Sequence, residues 1–144
     1  MATERRADVT WTGSLIEGAG TIHPVGSGAF GPLEVSWPAR AENPDGKTSP
    51  EELIAAAHAA CFAMALSHGL AQSGTPPERL DTSATVTFVP GTGITKVHLS
   101  VRGVVPGVDE AAFRQAADGA KANCPVSKAL AGVPDVTLDA ALSP

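Results

Sequence analysis

Apolar and polar positions alternate in four stretches of the chain: ADVTWTG (7–13), LEVSWP (33–38), TSATVTFVPG (82–91) and ITKVHLSVRGVVPG (94–107). Alternation with period two predicts strands that bury one face. The turn-rich GAGTIHPVGSGAFGP separates the first two, so residues 7–37 read as strands and turns, and Pro38 stops the last of them. The segment ARAENPDGK that follows reads as a polar loop. The two later runs are joined by PGTG, which predicts adjacent antiparallel strands.

The period changes at TSPEELIAAAHAACFAMALSHG (48–69). Ser49 suits an N-cap, Pro50 the first helical position, and Glu52 a capping box. Leu53, Ile54, Ala57, Cys61, Met64, Ala65 and His68 share one broad face at helical spacing. Alanine fills most of the other face, which predicts a helix buried on most sides. Gly74, Pro76 and Pro77 end it. Asp109 caps a helix through DEAAFRQAADGAKAN, Pro125 opens a short one starting near Cys124, and VTLDAAL (136–142) is a last strand. The order β-β-β-α-β-β-α-α-β groups strands and sets helices between the groups, which predicts an α+β fold. A chain of 144 residues predicts one domain, 1–144, with a single core.

Composition narrows the class. Apolar residues make 43% of the chain and charged residues 17%, a folded composition. The net charge is −5 and no basic patch appears, which argues against a nucleic-acid partner. The N-terminus MATERRADVTWTG lacks the apolar core of a secretory signal. No stretch approaches the roughly 18 apolar residues of a membrane span. The chain therefore reads as cytoplasmic with no membrane partner. The low charged fraction hints that a partner subunit covers some surface.

Two cysteines in a cytoplasmic chain do not suggest a permanent structural disulfide. Cys61 stands three residues after His58, so the two are neighbours on the helix surface. Cys124 in NCPVSKAL precedes the proline that opens a helix, where unpaired amides and the helix dipole favour a thiolate. Neither belongs to a C-x-x-C motif, so if they meet they meet through the fold. Blander readings stay open. Both cysteines suit core positions, His58 suits an interior site, and His23, His68 and His98 have no partner pattern. Glu51 suits the first turn of any helix, and Arg40 a solvated loop. A zinc site from His58, Cys61, Cys124 and one further ligand is a second class, against which H-x2-C is no finger framework. A non-catalytic module binding a small apolar ligand is a third.

The segments NPDGKTSPEELIAAAHAACFAMALS and ANCPVSKAL resemble the OsmC/Ohr family of thiol peroxidases, and the AAHAACFAMALS version, with His58, is similar to its OsmC branch. The resemblance extends to the strand entry ADVTWTGSLIEGAGTI and the strand ITKVHLSV, so it covers nearly the whole chain. It implies antiparallel sheets around a central buried helix in an intertwined homodimer, with two active sites at the subunit interface, each built from both chains. It implies a peroxidase of oxidative-stress defence, with a hydroperoxide substrate and an external thiol or dithiol reductant, and with no metal or organic cofactor. By position, Cys61 corresponds to the peroxide-attacking thiolate and Cys124 to its resolving partner. Arg40 corresponds to the active-site arginine and Glu51 to the acid that pairs with it.

The chemistry asks for such residues. A thiolate cleaves the O–O bond and becomes a sulfenic acid, which a second thiol converts to a disulfide before further oxidation. A free cysteine ionises at a pH of about 8.5, and burial raises that value. A buried Cys61 therefore needs a fixed cation, which an arginine supplies. Its fork also suits the peroxide oxygens as charge develops on the leaving one. Leu53, Ile54, Phe62, Met64 and Phe113 are the expected apolar lining for organic hydroperoxides.

Overall fold

The computed structural model describes residues 1–144. The chain folds as two compact units, residues 1–53 and 54–144. The element order carries every expected strand and helix, with one helix more than expected.

The first unit holds an antiparallel sheet of β1 (Val9–Thr12), β2 (Ala19–Ile22) and β3 (Leu33–Val35), with β2 central. The alternating stretches form β1 and β3, whereas β2 lies in the stretch read as turn-rich, and Gly20 decides how the strands are covered. A Cβ at Gly20 would come within 2.7 Å of the Trp11 ring and 2.8 Å of Val35. Only glycine lets that indole lie so close to the sheet. The stretch expected as a polar loop contains helix α1 (Trp37–Ala41). Ser36 is extended, and its hydroxyl accepts from the Ala39 amide at 3.2 Å. That is an N-cap, and Pro38 in the first turn is a residue that starts helices as well as ending strands.

Helix α2 (Pro50–Gln72) begins as the sequence predicts, with the Glu52 amide donating to Ser49 Oγ at 3.1 Å. Only that half of the capping box forms as expected, because the Glu52 carboxylate accepts from the Thr48 hydroxyl. At its end, Gly74 takes the left-handed conformation (φ 82°) and the Thr75 amide donates to the Leu70 carbonyl. By length and composition α2 would suffice to cross a membrane, contrary to the sequence expectation. Its stripe of Phe62, Leu66 and Leu70 is instead buried in a core formed with strands and helices.

The second unit contains β4 (Arg79–Val89), β5 (Gly93–Val104), α3 (Glu110–Asn123), α4 (Pro125–Ala129) and β6 (Asp135–Leu142). Strands β4 and β5 are antiparallel, as PGTG predicted, but β6 pairs in parallel with β5. The expectation of purely antiparallel sheets therefore fails here. The chain passes through α3 and α4 before returning, and such a crossover permits parallel pairing. Leu99 and Val101 of β5 and Ala140 of β6 form the sheet side of the core, and Phe113, Ala117 and Ala120 of α3 cover it. Asp109 caps α3 by accepting from the Ala112 amide at 2.8 Å. Gly103 makes room for this layer, since a Cβ there would stand 2.7 Å from the Phe113 ring.

The buried stripe of α2 differs from the expected face. His58, Phe62, Leu66 and Leu70 are buried at spacing four, whereas Ala57, Met64 and His68 are exposed and Cys61 is half-buried. Alanine on both faces removes the contrast from which a buried side is read. A helix buried on most sides is likewise not observed in the single chain, where Met64 is 71% exposed.

Candidate active site

Arg40 and Glu51 come together in the first unit. Helix α1 carries Arg40 in its last turn, and the start of α2 supplies Glu51. Arg40 donates from Nη2 to Glu51 Oε1 at 2.7 Å and from Nε to both carboxylate oxygens at 3.1 and 3.2 Å. Glu51 is buried and Arg40 half-buried. Contact through two nitrogens fixes the plane of the guanidinium as well as its position. Arg40 is therefore neither in a loop nor a solvated charge. It borders a cavity of about 390 Å³ whose other walls are Trp11, Leu15, Val35, Ser36, Trp37 and Pro50. That lining is apolar and differs from the one expected. Phe62 and Phe113 are wholly buried core residues, and Met64 is exposed.

The two thiols come together in the second unit. Cys61 lies on α2 and Cys124 caps α4, and their sulfurs stand 2.7 Å apart with both cysteines free. Sixty-three positions of sequence separate them, so the fold brings them together. Cys124 is wholly buried. Burial, then the hydrogen bond with Cys124, pushes the Cys61 thiol up. Burial acts the same way on Cys124. There the bond shared with Cys61, the Ser127 and Val126 amides and the Ser127 hydroxyl outweigh it, and the thiol falls below its ordinary value. The start of α4 thus favours a thiolate at Cys124, as its sequence suggested, whereas Cys61 still requires a cation.

His58 is wholly buried one turn before Cys61. Its Nε2 lies 2.7 Å from Ser127 Oγ, and its Nδ1 has no hydrogen-bond partner. Burial lowers its pKa, so the imidazole is neutral near pH 7. The other histidines play lesser parts. His23 bonds Thr10, His98 bonds Thr137, and His68 is exposed.

Sequence reasoning missed Ser36, Trp11 and Trp37 around Arg40, and Ser127 beside Cys124. Ser127 left a signal, since a residue three positions after an N-cap faces it across the first turn. The tryptophans left none, because their approach to Arg40 depends on how the strands of the first unit pack.

The OsmC-like protein family model matches residues 43–139. The chain is 39% identical over 142 residues to peroxiredoxin OsmC of Escherichia coli K12, covering 96% of both proteins. It is also 39% identical over 94 residues to the organic hydroperoxide resistance protein of Xanthomonas axonopodis pv. citri, covering 63% of this chain and 65% of that one. Among solved structures, an organic hydroperoxide resistance protein of Elizabethkingia anophelis superposes with a TM-score of 0.72 at 25% identity, covering 99% of this chain and 100% of that one.

Proposed function

The chain belongs to the OsmC-like protein family and is a cysteine-based peroxidase acting on hydroperoxides; we propose the residues and the assembly through which it works. The observation that carries this reading is the meeting of Cys61 and Cys124 at 2.7 Å. Two free thiols in that position are one oxidation step from a disulfide.

Cys61, as thiolate, attacks one peroxide oxygen. The O–O bond breaks, Cys61 becomes a sulfenic acid, and the other oxygen leaves as an alkoxide that takes up a proton. Arg40 supplies the positive charge that Cys61 lacks in its own unit, and Glu51 holds the fork in the plane that the leaving oxygen requires. Cys124 then attacks the sulfenic sulfur and closes the disulfide, which an external thiol or dithiol reduces. The apolar walls around Arg40, with Trp11, Leu15 and Trp37, suit an organic group on the peroxide. The whole chain, 1–144, works as one domain in a cytoplasmic homodimer whose two sites each draw on both chains. The exposed apolar side chains of Leu15, Ile16, Phe30 and Met64 support an assembly larger than one chain.

Titration of the reduced protein with cumene hydroperoxide and hydrogen peroxide, followed by intact mass, tests the pairing. One equivalent of peroxide should remove two hydrogens, about 2 Da, and link Cys61 to Cys124. Cumene hydroperoxide should be the more efficient oxidant. Oxygen addition only at large excess would make the thiols ordinary core residues and leave a ligand-binding module as the reading.

A further inference from the structure

The disulfide-forming step has a requirement that the four expected residues do not meet. Cys124 must present its sulfur, unprotonated, to the sulfenic acid at Cys61, yet Cys124 is wholly buried. Burial without partners would hold the proton on the thiol. Arg40 and Glu51 are bonded to one another and are assigned to the first step.

Two polar side chains of the second unit remain unassigned, and each stands three residues from one of the two thiols. Ser127 lies in the first turn of α4, three residues after the N-cap Cys124, where its hydroxyl and amide favour the ionised form of the Cys124 sulfur. His58 reaches Ser127 Oγ from α2 with Nε2, at 2.7 Å. A hydroxyl has one hydrogen. When the neutral imidazole donates from Nε2, the Ser127 oxygen is occupied as acceptor and its hydrogen is left for the sulfur. That tautomer leaves Nδ1 a bare lone pair, which agrees with its having no partner. A buried nitrogen without a partner is an expense that packing alone does not explain.

We propose that His58 and Ser127 form a buried relay that serves the resolving step: His58 orients the Ser127 hydroxyl, and Ser127 hydrogen-bonds the Cys124 sulfur while it attacks Cys61. The proposal rests on the two-cysteine reading above. In the step, the bond between the sulfurs forms and the S–O bond of the sulfenic acid breaks. The leaving hydroxide takes the proton given up by Cys124 and departs as water. The sulfenic sulfur is reduced, the Cys124 sulfur is oxidised, and no further oxidant is needed, since the hydroperoxide supplied the oxidising equivalent in the first step. Ser127 acts on the reacting sulfur directly, and His58 is a positioning residue.

Single-turnover oxidation of the reduced full-length protein separates the steps. Samples are mixed with one equivalent of cumene hydroperoxide, quenched at intervals and weighed, so that the sulfenic acid and the disulfide are each timed. Ser127→Ala should leave sulfenic-acid formation within about two-fold of wild type and slow disulfide formation about ten-fold, the size of a hydrogen bond to a charged group. With excess peroxide it should accumulate sulfinic acid at Cys61. Ser127→Thr, which keeps the hydroxyl, should restore the second step. His58→Gln should slow the second step and spare the first.

Equal slowing of both steps in Ser127→Ala would assign the pair to structure alone and overturn the relay. An unchanged second step, or failure of Ser127→Thr to rescue it, would overturn it as well. A wild-type protein that forms no disulfide would instead remove the two-cysteine reading and the relay with it. Thermal melts of each variant confirm that folded protein is compared.

Discussion

Arg40 and Glu51 meet through two guanidinium nitrogens, and that geometry makes the arginine a different group from any other cation. A lysine at position 40 would keep the charge. It would lose the planar fork, the second bond to Glu51 and the register that Glu51 imposes. Arg40→Lys should therefore lower kcat/KM for cumene hydroperoxide by about ten-fold or more, the loss of one charge-assisted contact in the transition state. The protein should stay folded, because α1 is capped by Ser36 and not by Arg40. Stopped-flow measurement of the oxidation step makes the comparison. Full activity in Arg40→Lys would mean that charge alone suffices and that the pairing with Glu51 serves structure. At Cys61 the need for a cation is physical, since burial and the Cys124 thiol both hold its proton in place.

The elements show where side chains decide what backbone patterns leave open. Phe113 of α3 is wholly buried, and its ring stands 2.7 Å from where a Cβ of Gly103 would be. Gly103→Ala should push α3 outward or force the ring off its rotamer, at a cost of about 1–3 kcal/mol. Urea melts measure that loss. The double variant Gly103→Ala/Phe113→Leu should recover part of it, and no recovery would place the strain elsewhere. Most of the elements were legible. Strands β4 and β5, the caps Ser49 and Asp109, and the short helix opened by Pro125 all follow from local rules, and the structure keeps them. Helix α1 was missed because Pro38 fits both the end of a strand and the start of a helix, and the Ser36 cap tips the balance. The buried stripe of α2 was misread because alanines make its sides alike, so tertiary packing chooses among them. Parallel pairing of β6 was not legible, since strand direction depends on the path through α3 and α4. The candidate residues Cys61, Cys124, Arg40 and Glu51 were singled out by type and position, and the structure joins them as two pairs. Ser127 was hidden because a serine in a first turn has many ordinary uses.

At the scale of the molecule the question is which chain supplies which half of a site. In the proposed homodimer each active site draws on both subunits, and what remains to be tested is whether Arg40 and Cys61 of one site come from different chains. Two inactive variants decide this. Arg40→Ala lacks the cation, and Cys61→Ser lacks the attacking sulfur. If each chain supplies one of the two residues, a heterodimer of the variants would carry one site in which both residues are altered and one in which both are intact. Co-refolding equal amounts of the variants gives heterodimers as about half of all dimers, each with one working site. Activity should then rise to about a quarter of wild type, although each variant alone is inactive. If both residues of a site come from one chain, every site in the mixture carries a lesion and no activity returns. Sedimentation of the mixture confirms that dimers have formed, so a silent mixture of dimers would place each site within a single subunit. A monomeric, fully active protein would reject the assembly outright. In that case the exposed apolar side chains of Leu15, Ile16, Phe30 and Met64 would have to be explained without a second copy.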